Sequence, residues 1–358
     1  MSTATPPSPI IANRLRPGDR IAVISPSQGL PGALPLPFEL GLKRLREDFD
    51  LEPVEYPTTR KMGSSAQERA ADIHAAFADP DIAGVIASIG GDDQITVLPH
   101  LVGELLQANP KQFYGFSDCT NLLVYLERLG IVGYHGATVM TAFGRPGAMH
   151  PMTEESLRAA MFTGGAFALT AAEEVNDRDR DWGDESTFDE PPSMFVSGGW
   201  QWHNANPEQR QSPLIEGRSW GGNLEIVSWL AMANRYLPEP EELSGRVLFF
   251  ETSEELPDDK TVYRTLRNLG ERGFLQQCAA LIMGRPKTWS FVRTLSHTQS
   301  NKYRAAQHKA VLAAMGEYAP HAPVVLDVDL GHTDPQLVIP YGGTIRLDLE
   351  RKTITVEY

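Results

Sequence analysis

The chain has 358 residues, a length that favours two domains over one. A content of 41% hydrophobic and 22% charged residues is typical of a soluble globular protein, and the formal net charge of −14 argues against nucleic acid and anionic membrane surfaces as partners. The two cysteines, Cys119 and Cys278, exclude a disulfide framework and favour a reducing, cytoplasmic compartment. The N-terminus lacks the pattern of a signal peptide, and no apolar run is long enough to span a membrane.

Strand and helix patterns alternate along the first half of the chain. Residues 1–12 are rich in Pro, Ser and Thr, so we expect a loose arm there. Beyond the arm, buried-strand patterns are followed by helical periodicity. This alternation predicts βαβ units and an α/β domain with a mainly parallel sheet over residues 13–165. The predicted strands are 19–27, 51–56, 82–91, 111–116 and 131–139, and the predicted helices are 37–49, 64–80, 97–109 and 119–130.

The pattern changes in residues 166–215, which we interpret as an acidic linker and substrate loop. Residues 173–212 are rich in acidic and turn-forming residues, yet they also hold Trp182, Trp200 and Trp202. Disordered linkers are poor in aromatic residues, so these tryptophans favour a functional loop. Alternatively, they only pack the loop onto its own domain.

Residues 216–358 are predicted to form a smaller, sheet-containing C-terminal domain. Its predicted helices are 221–233 and 258–273, its predicted strands are 245–252, 278–286 and 322–332, and residues 343–358 are a predicted hairpin.

Ser117 stands between a strand and a helix in the stretch Gly115-Phe116-Ser117-Asp118-Cys119. A serine in a strand-to-helix turn can be a nucleophile, activated at the positive end of the helix dipole. The stretch lacks the second glycine of a G-x-S-x-G elbow, and taken alone it favours a helix cap or turn over a nucleophile. Cys119 offers a thiol as an alternative nucleophile.

The stretch 88–94, SIGGDDQ, ends the preceding strand with Gly90 and Gly91. Backbone N–H groups of paired glycines can approach a ligand closely and stabilise an oxyanion. Two alternatives remain open, an ordinary tight turn and a phosphate loop of the kind found in nucleotide kinases.

Two further titratable groups follow buried strands. Glu251 comes directly after four apolar residues, and His332 follows the stretch 324–331. A histidine at a strand end can serve as a general base, and a shielded carboxylate can orient it. Glu251 could instead be a surface charge, and Glu254 and Glu255 are interpreted as solvated. A metal site of His332 with Asp327, Asp329 and Asp334 is the other alternative, although the spacing matches no common metal motif.

These motifs, taken in chain order, resemble those of the LD-carboxypeptidase family. The shared stretches are IGG at 89–91, GFSD at 115–118, YHG at 134–136, GGNL at 221–224, LFFE at 248–251 and DLGHTDP at 329–335. The resemblance covers nearly the whole chain and is strongest to the branch that contains the microcin C self-immunity protein.

This resemblance implies an active site between two α/β domains, commonly in a homodimer, without a metal or organic cofactor. The implied catalytic triad is Ser117, Glu251 and His332, and the implied oxyanion hole is the backbone N–H groups of Gly91 and Asp118. Other substrate-binding candidates are Gly90, Trp182, Trp200, Trp202, His135 and Asn223.

The resemblance implies hydrolysis of an amide through an acyl-enzyme. We favour a small peptidyl- or aminoacyl-nucleotide as the substrate, because the tryptophans of the 173–212 loop could stack on a nucleobase. The alternatives are removal of terminal D-alanine from cell-wall tetrapeptides, a nucleotide-dependent kinase that uses Asp92, and a silent binding protein of the same fold.

Overall fold

The computed structural model describes residues 9–178, 180–188, 190–204 and 212–358. Most of the expected loose arm, residues 1–8, lies outside this range. For residues 10–12 the prediction is wrong, because Ile10 forms a parallel bridge with Ile131 and Ala12 is buried. Here the N–H of Ile10 donates to the carbonyl of Gly130, which ties the start of the described chain to the first sheet.

The first sheet has six strands in the order β16-β5-β4-β3-β1-β2. Strands β1 to β5 pair in parallel, as the alternating pattern predicts, because helices connect them across one face or the other. Strand β16 pairs antiparallel with β5, although it comes from the far end of the chain. The strands are β1 Arg20–Ile24, β2 Glu52–Glu55, β3 Ile82–Ala87, β4 Gln112–Gly115, β5 Gly133–His135 and β16 Ile339–Tyr341.

Five α-helices accompany this sheet. Ser65 starts the second of them with a capping box, in which its side chain accepts from the N–H of Glu68. The predicted helix 97–109 is only partly present: two short 3-10 turns precede the third helix, because Pro99 interrupts the backbone hydrogen bonding. The helices are α1 Pro35–Glu47, α2 Ala66–Ala78, α3 Gly103–Ala108, α4 Thr120–Arg128 and α5 Pro151–Arg158.

The second sheet has eight strands in the order β6-β18-β17-β10-β11-β12-β15-β9. Its centre, from β10 to β15, is parallel, and its two sides are antiparallel. The expected closing hairpin is β17 with β18. The strands are β6 Ala166–Leu169, β9 Gln201–His203, β10 Leu214–Asn223, β11 Val247–Glu251, β12 Ala280–Gly284, β15 Val324–Val328, β17 Thr344–Asp348 and β18 Thr353–Glu357.

The helices of the second half differ from the predicted ones at two places. The helix predicted from residue 221 begins at Leu224, because Asn223 caps it and Gly221 and Gly222 are the end of β10. A Cβ on Gly221 would lie 1.7 Å from the carbonyl oxygen of Phe249, so only glycine fits there. The long α9 has no predicted counterpart. The helices are α6 Leu224–Ala233, α7 Asp259–Glu271, α8 Phe274–Gln277 and α9 His297–Tyr318.

Two small ribbons complete the described strands, and both lie near the segment predicted as a substrate loop. Strands β7 Glu174–Val175 and β8 Phe195–Val196 pair with each other, as do β13 Trp289–Ser290 and β14 Arg293–Thr294. The segment is anchored to the second sheet, since Asp329 accepts from the Trp200 indole N–H and from the N–H of Ala172.

A strand and a buried ion pair are among the contacts that join the two halves. Strand β16 carries residues after β15 into the first sheet, and Glu127 of α4 pairs with Arg246, which precedes β11, at 2.7 Å. The predicted fold class is confirmed: two α/β units with a parallel core in each sheet. No helix in the described ranges is both long and apolar enough to cross a membrane.

We expect Glu127→Ala to lower the free energy of unfolding by about 3 kcal/mol, because Arg246 would remain buried without its counter-charge. Arg128→Ala on the same helix is the control, since its ion pair with Glu242 is partly exposed and is worth under ~1 kcal/mol. Urea denaturation of both variants measures the difference. Equal losses in the two variants would contradict this role for Glu127.

Candidate active site

Ser117 lies on a strained turn at the carboxyl end of β4. Phe116 continues the extended backbone, Ser117 has φ 59°, and a 3-10 turn then leads into α4. A positive φ is uncommon for a residue with a side chain and is found mainly where the surrounding structure holds it in place. This is the geometry of a nucleophile elbow.

Cys119 takes the place of the second glycine of the elbow. A Cβ on Gly115 would lie 2.8 Å from the Cys119 Cβ, so the one glycine that remains makes room for the cysteine. Burial raises the pKa of the Cys119 thiol far above its usual range. The cysteine is therefore a packing residue and not the alternative nucleophile.

The Asp118 carboxylate is a buried hub beneath the turn. It accepts hydrogen bonds from the Ser27 hydroxyl, the Gln94 N–H at 2.9 Å and the Asn121 amide at 2.7 Å. Burial raises its pKa to about 6, although the hydrogen bonds from Ser27 and Gln94 oppose the shift. The carboxylate thus joins the loops after β1 and β3 to α4.

The glycine loop after β3 approaches Ser117 closely. A Cβ on Gly90 would lie 3.1 Å from the Ser117 Cβ, and one on Gly91 would lie 2.2 Å from the Ser27 hydroxyl oxygen. A side chain on Gly90 would therefore press on Ser117, and one on Gly91 would displace Ser27, whose hydroxyl donates to Asp118. Neither the Gly91 N–H nor the Asp118 N–H donates a hydrogen bond to another described residue.

The acidic residues of this loop have structural partners. Asp93 receives two hydrogen bonds from Arg69, at 2.7 and 2.9 Å, and Asp92 accepts from the Gln28 amide. These contacts explain the Gly-Gly-Asp-Asp sequence without a phosphate or a metal.

Glu251 and His332 form a buried pair, in which Glu251 ends β11 and His332 follows β15, with β12 between these two strands. The Nδ1 of His332 lies 2.6 Å from a Glu251 oxygen, and Glu251 ends β11. Burial opposes ionisation of Glu251, but His332 and Asn223 outweigh it and hold the pKa of the carboxyl below its usual value. Glu251 can therefore fix the orientation and tautomer of the imidazole.

Asn223 and His135 lie behind this pair and do not line the cavity. The Asn223 amide donates to Glu251 at 3.1 Å while its oxygen caps α6. His135 is fully buried, 3.9 Å from Glu251, and burial lowers its pKa to about 4. The prediction that these two residues contact substrate directly is not supported, because Glu251 stands between Asn223 and the imidazole.

The aspartates of the metal-site alternative have separate partners. Asp327 contacts His308, Asp329 pairs with Arg285, and Asp334 pairs with Arg145. The described residues contain no group of three or more His, Cys, Asp and Glu side chains arranged to hold a metal ion.

The other imidazole nitrogen faces a second carboxylate. The Nε2 of His332 lies 3.2 Å from Glu254, a residue expected to be only a solvated charge. The Ser117 hydroxyl has no hydrogen-bond partner among the described residues. Burial alone would lower the pKa of His332, but Glu251 and Glu254 raise it to about 9.

Ser117 and His332 line the same cavity, which has a volume of about 430 Å³. Gly90 and Gly91 line it on the side of the first sheet, and Glu254 and Lys287 line it on the side of the second. The predicted serine, histidine and glycine loop are therefore brought together, and Glu251 supports them from behind.

Known proteins resemble this chain over nearly its full length. Two family models match it, the LD-carboxypeptidase N-terminal domain over residues 21–136 and the LD-carboxypeptidase C-terminal domain over residues 216–347. The chain belongs to the LD-carboxypeptidase family. This confirms the resemblance seen in its motifs, and the chain is accordingly a serine carboxypeptidase-like hydrolase.

The relatives include both a microcin self-immunity protein and a murein peptide carboxypeptidase. The microcin C7 self-immunity protein MccF of Escherichia coli is 25% identical, with 97% of this chain and 96% of that protein covered. A probable murein peptide carboxypeptidase of Bacillus subtilis is 24% identical, with 96% and 93% covered. A solved structure of MccF in complex with aspartyl sulfamoyl adenosine superposes with a TM-score of 0.83 at 23% identity, covering 98% and 99%, and supports the fold.

The three predicted tryptophans of this LD-carboxypeptidase homologue lie in different surroundings. Trp182 lines the cavity. Trp200 donates its indole N–H to Asp329, and Trp202 lies on β9, paired with β15. Trp200 and Trp202 are not among the residues that line the cavity, because they anchor the loop to the second sheet. For them the structure favours the packing alternative.

Several residues that line the cavity were missed in the sequence. They lie on loops without a short motif, and only their acidic or basic character could have drawn notice. They are Glu254, Arg145, Arg178, Arg180, Lys287 and Phe291. Together they add a carboxylate, four cations and an aromatic ring to the walls around Ser117.

We expect Asp118→Ala to reduce kcat by roughly 100-fold and the free energy of unfolding by about 3 kcal/mol. Three donors would lose a buried acceptor, and the turn that holds Ser117 would shift relative to the glycine loop. Steady-state kinetics and urea denaturation measure the two effects. The control, Asp92→Ala, removes an exposed carboxylate with one contact and should leave both nearly unchanged. Loss of activity in the control alone would favour the kinase alternative.

Proposed function

We propose that this protein is a metal-independent serine amidase that hydrolyses an amide bond of a small peptidyl- or aminoacyl-nucleotide. The observation that carries the proposal is the shared cavity of Ser117, on its strained turn, and His332, held by the buried Glu251. A strained serine, a buried imidazole–carboxylate pair and a glycine loop with unused N–H groups are the parts that acyl transfer needs.

In the proposed mechanism, His332 Nε2 removes the proton of Ser117 as Oγ forms a bond to the amide carbonyl carbon. The N–H groups of Gly91 and Asp118 stabilise the oxyanion. The intermediate collapses with cleavage of the C–N bond, and His332 protonates the departing nitrogen. Water then attacks the acyl-enzyme, gives its proton to His332 and releases the acid, and Ser117 regains its proton.

The walls of the cavity support a leaving group that is flat and anionic. Trp182 and Phe291 supply aromatic rings, and Arg178 and Arg180 supply guanidinium groups. The solved MccF structure is in complex with aspartyl sulfamoyl adenosine, which joins an amino acid to a nucleoside as the proposed substrate does. Stacking on an aromatic ring and pairing with guanidinium suit a nucleobase and a phosphate respectively.

The second candidate is an L,D-carboxypeptidase that removes D-alanine from a murein tetrapeptide. The same guanidinium groups suit the carboxylate of a leaving D-alanine, and a murein peptide carboxypeptidase is among the relatives.

We also propose that the protein is a cytoplasmic homodimer and that its chain divides into an N-terminal domain over 13–165, a linker and substrate loop over 166–215, and a C-terminal domain over 216–358.

We expect Ser117→Ala to lower turnover by at least roughly 1,000-fold without changing the midpoint of thermal unfolding. Turnover is measured with an L,D-tetrapeptide and an aminoacyl sulfamoyl adenosine in one competition assay, with each product followed by mass spectrometry. Ser244→Ala, at an exposed serine away from the cavity, is the control. An unchanged rate in the Ser117 variant would end the amidase proposal, and the absence of a Ser117 adduct after fluorophosphonate treatment would favour a silent binding protein.

We expect Trp182→Ala to raise KM for the nucleotide substrate about tenfold or more, because one base stack is lost. Trp182→Phe should be intermediate, since it retains a smaller ring. The KM for the tetrapeptide should change little in either variant. If both substrates are affected equally, Trp182 supports the loop and does not recognise a base.

A further inference from the structure

Glu254 has a position that the proposed triad does not explain. Its carboxylate lies 3.2 Å from His332 Nε2, the nitrogen that has to accept the Ser117 proton. Its side chain remains 54% exposed and lines the cavity, so a bound substrate can reach it. Glu254 therefore faces both the general base and the space in which the acyl group would lie.

The loop that carries Glu254 is held in place. The N–H and the hydroxyl of Ser253 both donate to Glu225, at 2.9 and 2.7 Å, and the N–H of Glu255 donates to the Ser253 hydroxyl. Ser253 is itself buried. Because both neighbours of Glu254 are fixed, its place beside the imidazole is a property of the loop.

A carboxylate at this place favours the protonated form of His332. The titratable groups near the imidazole are Glu251 from β11, Glu254 from the following loop, His135 from β5, and Lys287, which opposes protonation and whose ammonium donates to the His332 carbonyl at 3.4 Å. The two carboxylates dominate, and they raise the pKa of His332 to about 9. With a carboxylate beside each imidazole nitrogen, the free enzyme favours an imidazolium, which cannot remove a proton from Ser117.

A positively charged substrate group beside Glu254 would remove the preference of His332 for its protonated form. When the scissile carbonyl is bonded to Ser117, Nε2 lies beside it, and Glu254 lies beside Nε2. A substrate group that pairs with Glu254 therefore stands close to the base and to the carbonyl carbon. The cationic group found at that position in amino acid derivatives is the α-ammonium.

We propose that Glu254 is a specificity-determining residue that binds the free α-ammonium group of an aminoacyl substrate and so frees His332 Nε2 to act as the base. This proposal rests on the proposed amidase function and narrows its substrate class to amides of amino acids with an unmodified α-amino group. In a murein tetrapeptide the α-nitrogen next to the scissile carbonyl is acylated and carries no charge. Glu254 thus selects against that substrate.

The test compares two probes that differ only in this charge, alanyl sulfamoyl adenosine and its N-acetyl derivative. In the wild-type enzyme kcat/KM for the free amine should exceed that for the acetylated probe by about 100-fold. In Glu254→Gln, which keeps the shape and removes the charge, the ratio should fall below about 5-fold. Glu255→Gln, an exposed neighbour outside the cavity, should keep the wild-type ratio.

A second measurement needs no substrate. The rate at which a fluorophosphonate labels Ser117 depends on a neutral His332, so it should rise with pH around the pKa of that histidine. In Glu254→Gln the midpoint should move to lower pH, and labelling at pH 7 should be faster than in the wild type. Glu255→Gln should match the wild type, and thermal unfolding confirms that each variant is folded.

The outcomes separate this inference from the proposed function. A wild-type preference that survives in Glu254→Gln, or equal rates with both probes in the wild type, would overturn the role of Glu254 while Ser117 remains the nucleophile. Absence of both cleavage and labelling in every variant would overturn the amidase proposal and this inference with it.

Discussion

The whole site depends on one buried contact, the 2.6 Å pair between Glu251 and His332. A carboxylate is costly to bury unless it is paired and hydrogen-bonded, and the fold supplies both. Strand β10 pairs in parallel with β11 so that Asn223 is directly beside Glu251, and its amide donates to the carboxylate. Gly331 has no side chain because a Cβ there would lie 2.5 Å from the Glu251 oxygen. The register of β10 with β11 and the glycine at position 331 thus both stabilise the pair of Glu251 and His332.

Three buried carboxyl groups of the site show that the surroundings of a carboxyl group determine whether it is ionised. Burial raises the pKa of Asp118 to about 6 and that of Glu225 to about 7, whereas His332 keeps Glu251 ionised. Asp118 and Glu225 work through hydrogen bonds to backbone and hydroxyl groups, and they hold the loops that carry Ser117 and Glu254. Only Glu251 has a cationic partner, and only Glu251 has the proposed role of stabilising a charge that forms during the reaction.

The sequence places Glu251 and His332 near each other because each follows an apolar strand, and the carboxyl ends of parallel strands in one sheet share an edge. Ser117 follows a strand of the other sheet, so its meeting with them is expected from the family resemblance and not from strand patterns. The sequence does not predict β16, since three residues carry no periodic pattern and their partner strand lies some 200 residues earlier. It also misses α9, whose apolar residues do not follow one face. Glu254 is missed for a related reason: its environment is set by Ser253 and Glu225, which only the folded chain brings together.

Charged side chains of both signs line the cavity around Ser117. Glu254 lies beside the base, on the proposed acyl side, while Arg178 and Arg180 line the cavity on the loop that carries Trp182. In a chain with a net charge of −14, long-range attraction would not draw in the proposed anionic leaving group, so the proposed function assigns its binding to these local guanidinium groups. In the proposed function, a substrate with an ammonium at one end and a phosphate at the other pairs with Glu254 and with these guanidinium groups. Opposite charges at its two ends would then set the orientation in which its carbonyl is offered to the serine.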